Sequence, residues 1–126
     1  MNFFFSLLVS LILAFPEQGI PYSKIDAAFD QKNAEAIVSL SKDKILINIL
    51  NKEGAYSKSQ AVLVLKDFFT NKANCQFNFT FKGNVTNGAT FAIGNYSCGT
   101  TNFRVTMHFK NCGDDYKIES ITIEKD

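Results

Sequence analysis

Between Cys75 and Lys110 apolar and polar residues alternate with a period of two, and the rest of the chain is organised around that stretch. Phe77, Phe79 and Phe81 alternate with Gln76, Asn78 and Thr80, which sends rings to one side of a strand and amides and hydroxyls to the other. Phe91 and Ile93 continue the pattern, and Phe103, Val105, Met107 and Phe109 repeat it against Arg104, Thr106, His108 and Lys110. The stretch predicts two antiparallel hairpins with one aromatic face and one wet face. Gly83 to Gly88, containing Asn87-Gly88, predicts the first connection, Cys98 to Thr101 the second and Asn111 to Asp115 the third. A closing strand follows over Lys117 to Lys125. Ile121 and Ile123 point inward there, and Ile118, out of phase with them, predicts a bulge or exposure at that end.

Upstream, helical spacing replaces alternation. From Pro21 a first helix is expected with Ser23 as N-cap, Asp26 three residues on, and Ile25, Ala28 and Phe29 on one face. Asn33 predicts the cap of a second helix through Leu40, with Ile37, Val38 and Leu40 apolar. Lys44 to Leu50 reads as a strand, Asn51 to Gly54 as its turn and Gly54 to Tyr56 as a short partner. Ser57 and Gln60 form a capping box for a third helix, in which Ala61, Val64, Leu65 and Phe68 recur at helical spacing and Val62 and Phe69 widen the stripe.

Composition changes this picture at three points. Residues Phe3 to Phe15 are apolar apart from two serines, and as a helix would span about 20 Å, short of the ~30 Å hydrocarbon core. The segment therefore predicts an export signal over residues 1–19, with Ala14 and Gly19 as candidate ends, followed by a single domain over residues 20–126. The expected location is the periplasm or outside the cell, with the membrane engaged only through that signal. Thirteen basic and twelve acidic residues leave a net charge of +1, and Arg104 is the only arginine, so nucleic acid is not an expected partner. Cys75, Cys98 and Cys112 contain no C-x-x-C pair and are accompanied by one histidine, which argues against zinc and for one disulfide and one free thiol. Strand register selects the pair: with Phe79 opposite Ile93, Cys75 falls opposite Ser97 and beside Cys98, while Cys112 lies about 30 Å away. Uniform alternation would point Cys75 and Cys98 to opposite faces, so the pairing requires a bulge near Gly94 or at the strand end.

The order helix, helix, strand, short strand, helix, four-stranded meander resembles the nuclear transport factor two-like fold, also called ketosteroid isomerase-like and placed in the cystatin-like superfamily. Within it the chain is similar to small exported bacterial domains of unknown function. The resemblance is carried by Asn33-Ala34-Glu35-Ala36, by Gly54 to Ala61, and by Phe91 to Asn95 followed by Phe103-Arg104-Val105. It implies an α+β domain with three N-terminal helices packed on a strongly curved, mainly antiparallel sheet, a cone that often holds a pocket and often pairs into a homodimer through its sheet.

No residue constellation announces chemistry. His108 and Arg104 fall on the wet face, and the carboxylates sit at helix starts, turns and the chain end rather than at inward strand positions; Glu119 comes nearest to one. The Asp114-Asp115 loop offers too few oxygens for calcium. No catalytic residue, metal or cofactor is therefore expected. The residues sent inward, Phe29, Tyr56, Leu65, Phe68, Phe79, Phe91, Ile93, Phe103, Val105 and Met107, would line any pocket and suit a small apolar ligand. The expectation is an exported, non-enzymatic binding or scaffolding module. A small ketosteroid isomerase-like or dehydratase-like enzyme is the alternative.

Overall fold

The computed structural model describes residues 19–126; apart from Gly19, the expected export signal lies outside them. Helix α1 (Tyr22–Asp30) buries Ile25, Ala28 and Phe29. Its N-cap is Pro21, which supplies no side-chain bond, and Ser23 is a helical residue instead of the expected cap. Helix α2 (Ala34–Ser39) is capped as expected, Asn33 accepting the Ala36 N–H at 3.0 Å. Strands β1 (Ser41–Ile49) and β2 (Lys52–Ser57) form a hairpin whose turn is only Leu50 and Asn51, not the four residues after Leu50. Helix α3 (Lys58–Phe69) begins in the capping box of Ser57 and Gln60. Then come β3 (Cys75–Lys82), β4 (Ala89–Cys98), β5 (Thr101–Asn111) and β6 (Tyr116–Lys125).

The class is α+β, but the expected architecture needs correction. The three helices are not one N-terminal set: in the order read from the sequence, α1 and α2 precede the first strand and α3 follows the β1–β2 hairpin. The sheet is not a strongly curved, mainly antiparallel cone: it is a mixed six-stranded sheet in the order β2-β1-β6-β5-β4-β3, with β1 and β6 parallel, and it is not strongly curled. The cause is the path of the chain. After β2, α3 carries it across to the far edge, and the meander is laid back strand by strand until β6 arrives beside β1 running the same way. The out-of-phase Ile118 is accommodated by the expected bulge. Register on β5 shifts between His108, opposite Ser120, and Phe109, opposite Ile118, so Glu119 is the extra residue and Ile118 is fully buried.

One face of the sheet is covered by the helices. Phe77 on β3 and Phe103, Val105, Met107 and Phe109 on β5 point into it as alternation requires. On β4 the phase is the reverse of the expected one: Ala92, Gly94 and Tyr96 face the core, and Phe91 and Ile93 face away. Two features decide this. Tyr96 is the largest fully buried side chain, meets Phe29, Phe68, Phe69 and Phe77, and donates its hydroxyl to the Phe29 carbonyl at 3.1 Å. The ring of Phe77 lies directly on the backbone of Gly94, where a Cβ would collide with it. Small residues under large rings hold the core; Phe91 and Ile93 in their place would overfill it.

The same shift brings the cysteines together. A register change between Phe79, opposite Gly94, and Phe81, opposite Ile93, makes Thr80 the extra residue and sets Cys75 directly opposite Cys98. The Cys75–Cys98 disulfide is formed, and Cys112 is an exposed free thiol.

Candidate functional site

Two concave regions are built from residues that structural roles alone do not use up. The more apolar is a groove of about 490 Å³ at the turn end of the β1–β2 hairpin, between that hairpin and α3. Its floor is Ile49, Tyr56, Val64 and Phe68, and its rim carries Leu50 and Leu63 with Lys52, Asp67 and Lys72. Leu50 and Leu63 are 46% and 66% exposed, far more than leucine in a packed core. Leu50 is also held in the left-handed region, at φ 52°, with Asn51 at φ 72°. That pair of angles suits a tight two-residue hairpin turn, but for leucine it costs about 1–2 kcal/mol. Its N–H donates to the Ile123 carbonyl at 2.9 Å, so the backbone is tied to β6 while the side chain is thrown outward. Asn71, Asn74 and Gly99 at this same end also have positive φ, and the disulfide lies just behind them.

The second region is a cleft of about 470 Å³ between α1 and the edge strand β3, lined among others by Tyr22, Asp26, Asn78, Phe79 and Lys82. Asp26 and Asp30 are one helical turn apart, a spacing already present in the sequence. Asp30 accepts the outward Phe77 N–H of the edge strand at 2.7 Å, which blunts an edge otherwise open to pairing. Burial raises the pKa of Asp26, and the neighbouring Asp30 charge and hydrogen bond raise it further against the opposing pull of Lys82. The Lys82 ammonium stands 4.6 Å over the Tyr22 ring. Burial, aided by the Asp30 charge, pushes Tyr96 up to about 12, so its hydroxyl stays a donor to Phe29. The arrangement explains how α1 is fixed to the sheet edge. Among the described residues, no three His, Cys, Asp or Glu side chains come together as a metal site would require.

The residues expected to line a pocket divide three ways. Phe29, Leu65, Phe68, Phe103, Val105 and Met107 are buried together in the core cluster, with Tyr56 and Phe79 packed half-buried against it. Of these, Tyr56 and Phe68 also reach the hairpin groove, and Phe79 the α1 cleft. Phe91 and Ile93 stand on the open face. There Phe91 packs against Phe81 at 5.4 Å and stacks on His108 at 5.7 Å between ring centroids. Arg104 is on the same face, 3.4 Å from Glu124, and Glu119 pairs with Lys42 at 3.1 Å. The exposed leucines of the groove carry no signal of their own in the sequence, where Leu50 reads as the end of a strand and Leu63 falls outside the apolar stripe of its helix.

Helices over one face of a mixed sheet, in which the β1–β6 pairing joins the hairpin to the meander, define a nuclear transport factor two-like domain. The fold is shared by an NTF2-like protein of unknown function from Shewanella baltica, at 10% identity and a TM-score of 0.65 over 83% of this chain and 87% of that one. Residues 22–124 match the domain of unknown function DUF4783, and the chain belongs to that family. It is similar to DUF4783 proteins of known structure from Bacteroides ovatus (25% identity, TM-score 0.78, covering 87% of this chain and 98% of that one) and Bacteroides uniformis (28%, 0.76, 86% and 98%). No curated protein matches the chain.

Because folding raises the Asp26 pKa above its unfolded value near 3.8, the stability this carboxyl contributes is present below that value and is lost as pH rises through the folded pKa. Asp26→Asn is therefore expected to stabilise the protein at pH 7 by a few tenths of a kcal/mol, with the gain shrinking in acid. Urea unfolding at pH 7 and below pH 4 reads this directly; a loss at pH 7 would mean that attraction to Lys82 outweighs repulsion from Asp30.

Proposed function

We propose that this protein is an exported, non-enzymatic binding module that takes an apolar ligand in the groove between the β1–β2 hairpin and α3. The observation that carries the reading is the groove itself: about 490 Å³ of open space floored by Ile49, Tyr56, Val64 and Phe68 and rimmed by two exposed leucines. Hydrophobic burial there is worth roughly 25 cal/mol per Å², and leucine and phenylalanine give a ligand little hydrogen-bond direction. Export is supported by the Cys75–Cys98 bridge, since disulfides persist in oxidising compartments outside the cytoplasm. The strain at Leu50 fits the same reading, because backbone strain that stability alone does not reward concentrates at binding sites.

The uncharged dye Nile red tests this. One dye per chain is expected to bind with a rise in fluorescence, and Leu63→Asp to abolish it while changing stability by less than about 0.5 kcal/mol, as for a surface position. Failure of the dye to bind, or equal binding to the variant, would remove the groove as a site.

A second reading, self-association through the open face of the sheet, is favoured by a specific feature. Leu46, Phe81 and Phe91 are 52%, 49% and 37% exposed on strands of that sheet, and a homodimer through this face would cover them. Light scattering at tens of micromolar is expected to give twice the chain mass, reduced to one by Phe91→Lys. A one-chain mass for the parent protein ends this reading.

A further inference from the structure

The groove has a companion. A second depression of about 560 Å³ lies on the other side of Leu50, walled by the Asn71–Asn74 and Cys98–Thr101 segments with Phe103 and Lys125. Where the first groove is apolar, this one is lined by amides, hydroxyls and backbone. Lys72 lines both. Its ammonium is 4.6 Å from the Phe68 ring centroid and 5.5 Å from that of Phe103, and attraction to the two rings fixes where the charge sits.

The charges around the paired grooves are lopsided. Lys52, Lys72 and Lys125 face them, against Asp67 as the one acidic lining residue. None of these four takes part in the ion pairs found among the described residues, which join Lys42 to Glu119, Lys66 to Glu35 and Arg104 to Glu124. The whole chain carries a net charge of only +1, so this local excess is not a reflection of a basic protein.

From this juxtaposition of an apolar trough, a polar basin and a ring-pinned ammonium between them, we infer that the ligand is a soluble single-chain anionic amphiphile. The inference rests on the groove reading above. The hydrocarbon chain lies along Ile49, Tyr56 and Val64, and the anionic head meets Lys72, with Lys125 on the far side of the basin. The basin carries Lys72 and Lys125 with no acidic lining residue, whereas on the trough side Asp67 offsets Lys52, so the head is drawn to the basin end. One ligand binds per chain, and a bilayer surface is not the partner.

Displacement of Nile red from the full chain with its disulfide formed tests the inference at neutral pH, using dodecanoate and dodecanol as matched probes. Dodecanoate is expected to bind about tenfold more tightly than dodecanol, the scale of one charge-assisted hydrogen bond. Lys72→Gln is expected to remove most of that ratio by weakening dodecanoate far more than dodecanol, and phosphatidylglycerol vesicles are expected not to capture the protein. Equal displacement by the two probes, or an unchanged ratio in the variant, overturns the anionic assignment while leaving the apolar groove standing. Dye binding that neither probe displaces overturns the amphiphile. Capture by vesicles without displacement by dodecanoate overturns it in favour of a lipid surface. Failure of the dye itself to bind removes the groove, and the inference with it.

Discussion

The structure depends on how few atoms stand under the aromatic rings of β3 and α1. The far end of the Phe77 ring presses on Gly94 and the ring stacks on Phe29 at 4.7 Å, while the Tyr96 hydroxyl donates to the Phe29 carbonyl. That contact joins the N-terminal helix, the edge strand and its neighbour at one point. It also decides which face of β4 is inside. With Gly94 inward, Ala92 and Tyr96 must follow, Phe91 and Ile93 turn outward, and one extra residue on β3 is needed to restore pairing beyond Phe79. The bulge at Thr80 and the direct opposition of Cys75 and Cys98 are two consequences of the same packing.

Much of this was legible in the chain, for local reasons. Capping residues announced α2 and α3, Asn87-Gly88 announced a hairpin, and alternation on β5 and β6 named their inward residues, because each signal acts over a few neighbouring residues. The Cys75–Cys98 pairing was legible too, although the register behind it is off by one: Cys75 stands opposite Cys98, not Ser97, and Phe79 opposite Gly94, not Ile93. The phase of β4 was not. Hydrophobicity favours Phe91 and Ile93 inside, and only the space demanded by Phe77 and Tyr96, contributed by residues distant in sequence, reverses that preference. The parallel placing of β6 beside β1 escaped for a similar reason: it follows from where α3 delivers the chain.

The end of the molecule that carries the two grooves was the least legible part. Leu50 was read as the last residue of a strand, yet it occupies a left-handed turn position with its side chain in solvent. Leu63 lies outside the apolar stripe of its helix. Neither residue departs from an ordinary pattern; what marks them is that the hairpin and α3 carry them to opposite rims of one groove. The core cluster, the disulfide and the Asp30 contact hold the sheet edge and the helices in place. The grooves lie at the end of the molecule where turns meet, beyond that rigid frame. A filled core and an open apolar groove are compatible because the interior is packed with rings while the groove forms at the surface, where the β1–β2 hairpin meets α3.

Gly94 is required by the Phe77 ring and not by the backbone, whose φ there is outside the left-handed region. A double-mutant cycle in urea unfolding, with Gly94→Ala, Phe77→Ala and the pair, tests it most directly. The account predicts that Gly94→Ala alone destabilises by about 1–3 kcal/mol through overpacking. In the Phe77→Ala background the ring is gone, and the same change should be neutral or favourable, giving a coupling energy of about 1 kcal/mol or more. Additive effects, or a Gly94→Ala protein as stable as the parent, would contradict it.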